Sequence, residues 1–244
     1  MSKVLVIGDS CTDVFIYGNI ERICPEAPVP VINPLHTTEN GGMSKNVKSN
    51  VEALGDRCGI ITNGNKIRKV RYVDSRSNQL VLRVDENDRC DRIDTNVIKR
   101  YDDFDAVIIS DYCKGFLLEE DIKNICDTND NVFIDTKKQL GDWASNAKFI
   151  KINEFEHKKN FDIIPNYPSL QDKLIVTRGR NGCDYIGKNF PVEDVSVKDV
   201  SGAGDTFLAG LVSEYVKSKN INKAIKFAQQ CTTKVVQKHG VSTI

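Results

Sequence analysis

Five short apolar runs set the frame for this chain: VLVIG at 4–8, AVIIS at 106–110, VFID at 132–135, KFIKI at 148–152 and LIVTR at 174–178. Each is rich in β-branched residues and gives way at once to polar residues or glycine. Strands of this kind are covered on both faces, because a half-exposed strand alternates. Helical patterns lie between them. In 46–55, Val47, Val51 and Leu54 recur at spacings of four and three, and Gly55 supplies a stop. In 205–217, Phe207, Leu208, Leu211, Val212, Tyr215 and Val216 form an apolar stripe; Ala224, Ile225, Ala228, Cys231, Val235 and Val236 repeat it in 222–238. Such alternation predicts an α/β fold, a mainly parallel sheet between helical layers. The 244 residues, 40% of them hydrophobic, suit a single domain with a small appendage.

Two stretches break the alternation. APVPVINPLHTTENGG (27–42) and KVRYVDSRSNQLVLRVDE (69–86) are extended, proline-interrupted or alternating, with no helix between. They predict antiparallel strands outside the main sheet, a lid with strands from about 14–40 and 66–86.

Composition narrows the function classes. The 34 basic and 34 acidic side chains cancel, so no net field draws nucleic acid or an anionic membrane. The local cluster Lys66, Arg68, Lys69 and Arg71 can still hold a small anion. Eight cysteines form no CxxC and no zinc-like grouping, which predicts free thiols in a reducing compartment. Cys113 and Cys183 are expected to be buried small hydrophobes. The first apolar run meets Asp9 too soon for a signal peptide, and no run approaches the roughly 18 residues of a membrane span. A soluble, cytoplasmic protein is expected. No G-x-x-x-x-G-K-[ST] occurs, which argues against a Walker-type NTPase.

Chemistry concentrates in DVSGAGDTFLAGLVSEY (199–215). Gly202, Ala203 and Gly204 precede a helix start, where backbone N–H groups and the helix dipole favour an anion. Asp205 follows directly. An acidic residue in a first turn is ordinary helix chemistry, so the turn alone leaves a structural reading open. The functional reading is a transient anion: the N–H groups stabilise a phosphoryl group in flight, and Asp205 takes the proton of the attacking hydroxyl.

DVSGAGDTFLAGL resembles the D-T-x-G-A-G-D signature of the PfkB/ribokinase carbohydrate kinases. GDSCTDVFIYG (8–18), NGGMSKNVKSNVEALG (40–55), IDTK (134–137), NEFE (153–156) and VTRGRNG (176–182) fall in that family's order. RICPEAPVPVI (22–32), SRSNQLVLRVDEND (75–88) and SDYCKGFL (110–117) are similar to segments of the D-glycero-D-manno-heptose 7-phosphate kinases. The resemblance implies a ribokinase-like three-layer αβα sandwich with a β lid, ATP and Mg²⁺ as cofactors, and a sugar phosphate as the small-molecule partner.

It also implies roles. Asp205 is the general base, with Gly202, Ala203 and Gly204 as the anion hole. Asp13 and Asn46 read sugar hydroxyls, and Gly41 and Gly42 let the sugar lie against the backbone; the bland reading of the glycines is a turn plus a helix cap. Arg22, Arg76, Arg83 and Lys114 supply charge for the substrate's own phosphate, although Arg83 and Asp85 can equally be a surface pair. Asn153 and Glu156 organise Mg²⁺ through water, or merely start a helix. Thr177, Arg178 and Gly179 meet the nucleotide phosphates, and Gly240, after His239, closes the adenine end. Asp9 is expected to be solvated or a helix cap.

Departures matter as well. Cys113 replaces a family glycine. CGIITNG (58–64) passes directly into NKIRKVRYVD, without the helix and strand expected between, so one flank of the sheet should be thinly covered. A second copy, in a homodimer through the lid, is an expected remedy. None of His36, His157 and His239 makes the H-x-G-H of a nucleotidyltransferase. Alternatives are a kinase for another sugar or a nucleoside, or a sugar-binding protein without turnover.

Overall fold

The computed structural model describes residues 1–238, 240 and 242–244. In chain order the strands and helices are β1 (Lys3–Gly8), β2 (Ser10–Ile23), β3 (Pro30–Met43), α1 (Ser44–Ala53), β4 (Arg57–Thr62), β5 (Arg68–Asp74) and β6 (Leu80–Glu86). Then follow β7 (Ala106–Asp111), α2 (Glu119–Thr128), β8 (Val132–Thr136), β9 (Phe149–Asn153), α3 (Glu154–Lys159) and α4 (Pro168–Gln171). The last are β10 (Leu174–Thr177), β11 (Cys183–Tyr185), β12 (Lys188–Phe190), α5 (Ala203–Ser218) and α6 (Ile221–Val235).

Eight strands form the main sheet in the order β12-β11-β10-β9-β8-β7-β1-β4. The run from β10 to β4 is parallel, and β11 and β12 add an antiparallel edge. The five apolar runs are its central strands. Alternate residues serve opposite cores: Leu5, Ile7, Val107, Ile109 and Ile134 pack with α2, while Val4, Val6, Ile108 and Phe133 pack beneath α1, α5 and α6. Each fully buried Leu or Ile there contributes about 1.5–3 kcal/mol. Helix α5 starts where Gly202 takes a left-handed conformation (φ 79°) and ends at Lys219 (φ 52°). Gly210 lets it approach α6, since a Cβ there would lie 3.1 Å from the Cα of Ala228.

The second sheet has the order β3-β2-β5-β6. Its β2–β3 and β5–β6 pairs are antiparallel, as the extended patterns predict, but the central β2–β5 pair is parallel. The cause lies in the main sheet. Strands β1 and β4 are parallel neighbours, and each runs straight on into the lid, β1 into β2 and β4 into β5. Their continuations therefore share a direction. Only residues 54–56 separate α1 from β4, which is the outer strand and is half-buried along Cys58–Thr62. This is the thinly covered flank.

All eight cysteines are free. Cys183 is buried, but Cys113 is exposed, contrary to expectation, because it sits at φ 57° in a loop on the surface. Among the described residues no helix is long and apolar enough to cross a membrane.

Candidate active site

Three elements converge on the start of α5. Asp205, in the first turn, is 4% exposed. Asn46 of α1 donates to its Oδ2 at 2.8 Å, and the Tyr112 hydroxyl, just after β7, donates to its Oδ1 at 2.6 Å. Burial raises the carboxyl to about 6, against the two hydrogen bonds that favour its charged form. Asp205 is thus an acceptor poised to titrate just below neutrality. Asn46 has its own support, for its Oδ1 accepts from Asn50 Nδ2 at 3.1 Å.

The turn before Asp205 offers free donors. Ala203 N–H bonds back to Val200 O at 3.2 Å and Thr206 N–H to Gly202 O at 2.9 Å. The N–H groups of Gly204 and Asp205 have no acceptor among the described residues. Gly202 N–H has no acceptor among the described residues either, so of the three expected donors Gly202 and Gly204 are free and only Ala203 is committed. Lys151 of β9 comes up beneath this turn: a Cβ on Gly204 would lie 3.0 Å from its Nζ. Lys151 is 3% exposed and pairs with Asp135 at 2.6 Å. Motif reading passed over Lys151, whose only signal was a charge inside an apolar strand, KFIKI.

On one side of the turn lies a cavity of about 530 Å³, within the range that holds small ligands. Thr177, Gly179, Ala203 and Gly204 line its mouth, and Val195, Val200, Phe207 and Val236 are among its apolar walls. Arg178 points elsewhere, pairing with Asp184 at 2.5 Å and Glu154 at 3.1 Å. Gly240 N–H donates to Asp199 Oδ2 at 3.0 Å, and the other oxygen of Asp199 accepts from Ser201 N–H at 2.8 Å. Asp199 thereby ties the segment at Gly240 to the anion turn; His239 lies outside the described residues.

On the other side is the lid. Asp13 is 5% exposed and pairs with Arg71 at 2.5 Å. Gly41 and Gly42 end β3 rather than forming a turn and cap. Gly42 is required by close approach, since a Cβ there would lie 2.1 Å from Asp13 Oδ2 and 2.6 Å from Cys11 Sγ. Arg83 pairs with Asp85 at 2.6 Å, the surface pairing weighed above, and Lys114 with Asp88 at 2.5 Å. Arg22 and Arg76 are not brought to this group. Nine residues of strand, about 30 Å, separate Arg22 from Asp13, and Arg76 pairs with Glu21 near that far end at 2.5 Å.

Asp9 is neither solvated nor a helix cap. It is fully buried and accepts the N–H groups of Tyr112 (2.6 Å), Phe116 (3.3 Å) and Lys114 (3.4 Å). Burial, then the nearby Asp111, raises its pKa. It holds the loop that delivers Tyr112 to Asp205.

Asn153 and Glu156 do start a helix, as a reciprocal capping box with bonds of 2.8 and 2.9 Å. Glu156 also contacts Lys137 Nζ. Next to them Asp135 Oδ1 is buried without a hydrogen-bond partner. Despite its burial, Asp135 is held below the usual carboxylate range by Lys151 and Lys137. Among the described residues no three His, Cys, Asp or Glu side chains are grouped to hold a metal directly. The donors are all hard oxygens, however, and Asp135 Oδ1 has no hydrogen bond, only Lys137 Nζ at 3.8 Å, which fits Mg²⁺ retaining its water.

A nucleotide-sized cavity, free N–H groups at a helix start and a buried carboxylate form the parts of a small-molecule phosphotransferase. The ribokinase-like fold is shown by solved structures. Ribokinase from Thermotoga maritima matches with a TM-score of 0.71 at 16% identity, over 99% of this chain and 95% of that one. Arabidopsis thaliana ribokinase, solved with ribose and ATP, matches at 0.67 and 14%, over 98% and 94%. The family model for pfkB family carbohydrate kinases matches residues 57–244. The chain belongs to this family.

Similar curated sequences include the bifunctional protein HldE of Helicobacter acinonychis, 29% identical over 98% of this chain, and that of Vibrio parahaemolyticus, 31% identical over 99%. The chain spans 64% and 61% of the lengths of these relatives. The first alignment runs to 296 positions against 244 residues here, so the relative carries insertions that this chain lacks.

Proposed function

We propose that this chain, residues 1–244 acting as one kinase domain with the small sheet as its lid, moves the γ-phosphoryl group of ATP to a hydroxyl of a sugar phosphate. D-glycero-D-manno-heptose 7-phosphate, at its anomeric hydroxyl, is the substrate we favour. The observation that carries this reading is the place of Asp205, between the cavity and the lid at the start of α5.

In this reading the nucleotide base lies among Val195, Val200 and Val236, with Gly240 nearby, and the phosphates run past Thr177 and Gly179 towards Gly204. The free N–H groups of Gly204 and Asp205, with Lys151 beneath, stabilise charge on the phosphoryl group in flight. Asp13 and the backbone at Gly41 and Gly42 orient the sugar, and Asn46 keeps Asp205 aimed at the attacking hydroxyl. Asp205 removes its proton as the new P–O bond forms. Mg²⁺, when bound through water at Asn153, Glu156 and Asp135, neutralises phosphate charge. Arg83 and Lys114 are the cations we assign to the substrate's own phosphate. A second copy meets the lid, where Leu35, Leu80 and Leu82 are more than half exposed.

The test is ADP release with Mg-ATP across heptose 7-phosphate, sedoheptulose 7-phosphate, fructose 6-phosphate, ribose and adenosine. Turnover on heptose 7-phosphate, reduced about 10³-fold or more in Asp205→Asn, is the expected result. Turnover on ribose or adenosine alone would refute the sugar-phosphate assignment and keep the kinase.

A further inference from the structure

The lid carries one cation that its own fold does not account for. Residues paired across neighbouring strands share a face. The register therefore sets Asp13 of β2, Lys69 of β5 and Asp85 of β6 side by side, with Phe15, Arg71 and Arg83 two residues along. This face meets the catalytic carboxylate through one ring. Lys69 Nζ lies 5.5 Å from the centroid of Tyr112, whose hydroxyl donates to Asp205. Of the four cations here, three have carboxylates: Arg71 has Asp13, Arg83 has Asp85 and Lys114 has Asp88. Lys69 is 9% exposed, yet its ammonium has no hydrogen-bond or carboxylate partner among the described residues.

A largely buried lysine without an ion-pair partner, its ammonium tip still reaching solvent, is under-solvated. Burial, aided by Arg83 and Lys114 and opposed by Cys11 and Asp13, holds the Lys69 pKa below the ordinary lysine value. Lys137, over the same ring at 5.3 Å, pairs with Glu156 and Asp135, so Lys69 is the cation at Tyr112 without an ion-pair partner among the described residues. A sugar hydroxyl would satisfy a hydrogen bond but leave that charge. A phosphate satisfies both, and a lysine binds it as a point charge.

We propose that Lys69 is the recognition point for the substrate's own, untransferred phosphate, with Arg83 and Lys114 flanking it. The inference rests on the sugar-phosphate reading above and adds the residue on which phosphate recognition turns. Tyr112 touches both ends of the arrangement, so one substrate presents a hydroxyl to Asp205 and its phosphate to Lys69.

Calorimetric titration without ATP tests this, using heptose 7-phosphate against the unphosphorylated heptose and fructose 6-phosphate against fructose. The wild-type protein should prefer the phosphorylated member of at least one pair by about tenfold or more. Lys69→Gln should abolish that preference while changing affinity for the unphosphorylated sugar by less than about twofold, and Lys69→Arg should retain part of it. Inorganic phosphate should compete with the phosphorylated sugar and not with the other, a readout that needs no variant. No preference in the wild type, no competition by phosphate, or equal weakening of both members by Lys69→Gln would overturn the assignment. Phosphate preference without ADP release on any sugar would refute the kinase reading and leave the Lys69 site standing. ADP release without phosphate preference would do the reverse.

Discussion

At Asp205 two effects oppose each other. Burial makes the carboxylate a better base, and the hydrogen bonds from Asn46 and Tyr112 limit the rise to about 6. A base must be unprotonated, so kcat/KM should climb through pH 6 and level off above it. Tyr112→Phe removes a bond to the charged form and should move that limb to higher pH, lowering the ratio of activity at pH 5.5 to that at pH 8 by about threefold to tenfold. An unmoved limb would show that another group titrates. Stability follows the same shift with its own sign. The folded protein binds the Asp205 proton more tightly than the unfolded chain does, so this group's contribution falls as pH rises from about 4 through 6. Asp205→Asn cannot ionise and should gain on the wild type by up to about 3 kcal/mol between pH 4 and pH 7, read by urea unfolding at each pH.

Among the elements, β2 and the end of β3 meet in a close contact at the site. Strand pairing sets Cys11 against Gly42, and the side chain of Asp13 folds over the bare backbone there. Gly42→Ala puts a methyl group 2.1 Å from Asp13 Oδ2, so the carboxylate must turn away and the Asp13–Arg71 pair must break. The expected result is a rise of about tenfold or more in KM for the sugar, with kcat and the KM for ATP much less affected. An equal loss in both KM values would place the damage in the fold. The glycine pair was legible in the sequence; what it accommodates was not. Asp13 reaches Gly42 only because β2 and β3 pair in this register, a fact of long-range pairing rather than of local pattern.

At the scale of the molecule, the lid is a four-stranded sheet with two open edges and large apolar side chains in water. Such edges are covered in stable proteins. Sedimentation equilibrium should give about twice the 27.3 kDa chain mass, and Leu82→Lys should halve it. A wild-type monomer would remove the dimer. The short passage from β4 to β5 leaves the lid strands as extensions of β1 and β4, so the lid is carried by the two outermost strands of that flank.

The strands of the parallel core and the helices α1, α5 and α6 could be read from apolar periodicity, because burial on two faces or on one stripe leaves a local mark. The anion turn before Asp205 was equally local. The roles of Asp9, Tyr112 and Lys151 were not, since each depends on a partner brought from another element: Asp9 on the loop after β7, Tyr112 on α5, and Lys151 on Gly204. Lys69 was legible only as one of a basic cluster; that its neighbours Asp13 and Asp85 are taken by Arg71 and Arg83 is a fact of strand pairing. Charge written in a sequence says what a side chain can carry. Whether that charge is paired, buried or left open for a ligand is decided by which strands lie next to one another, and only the tertiary structure sets that.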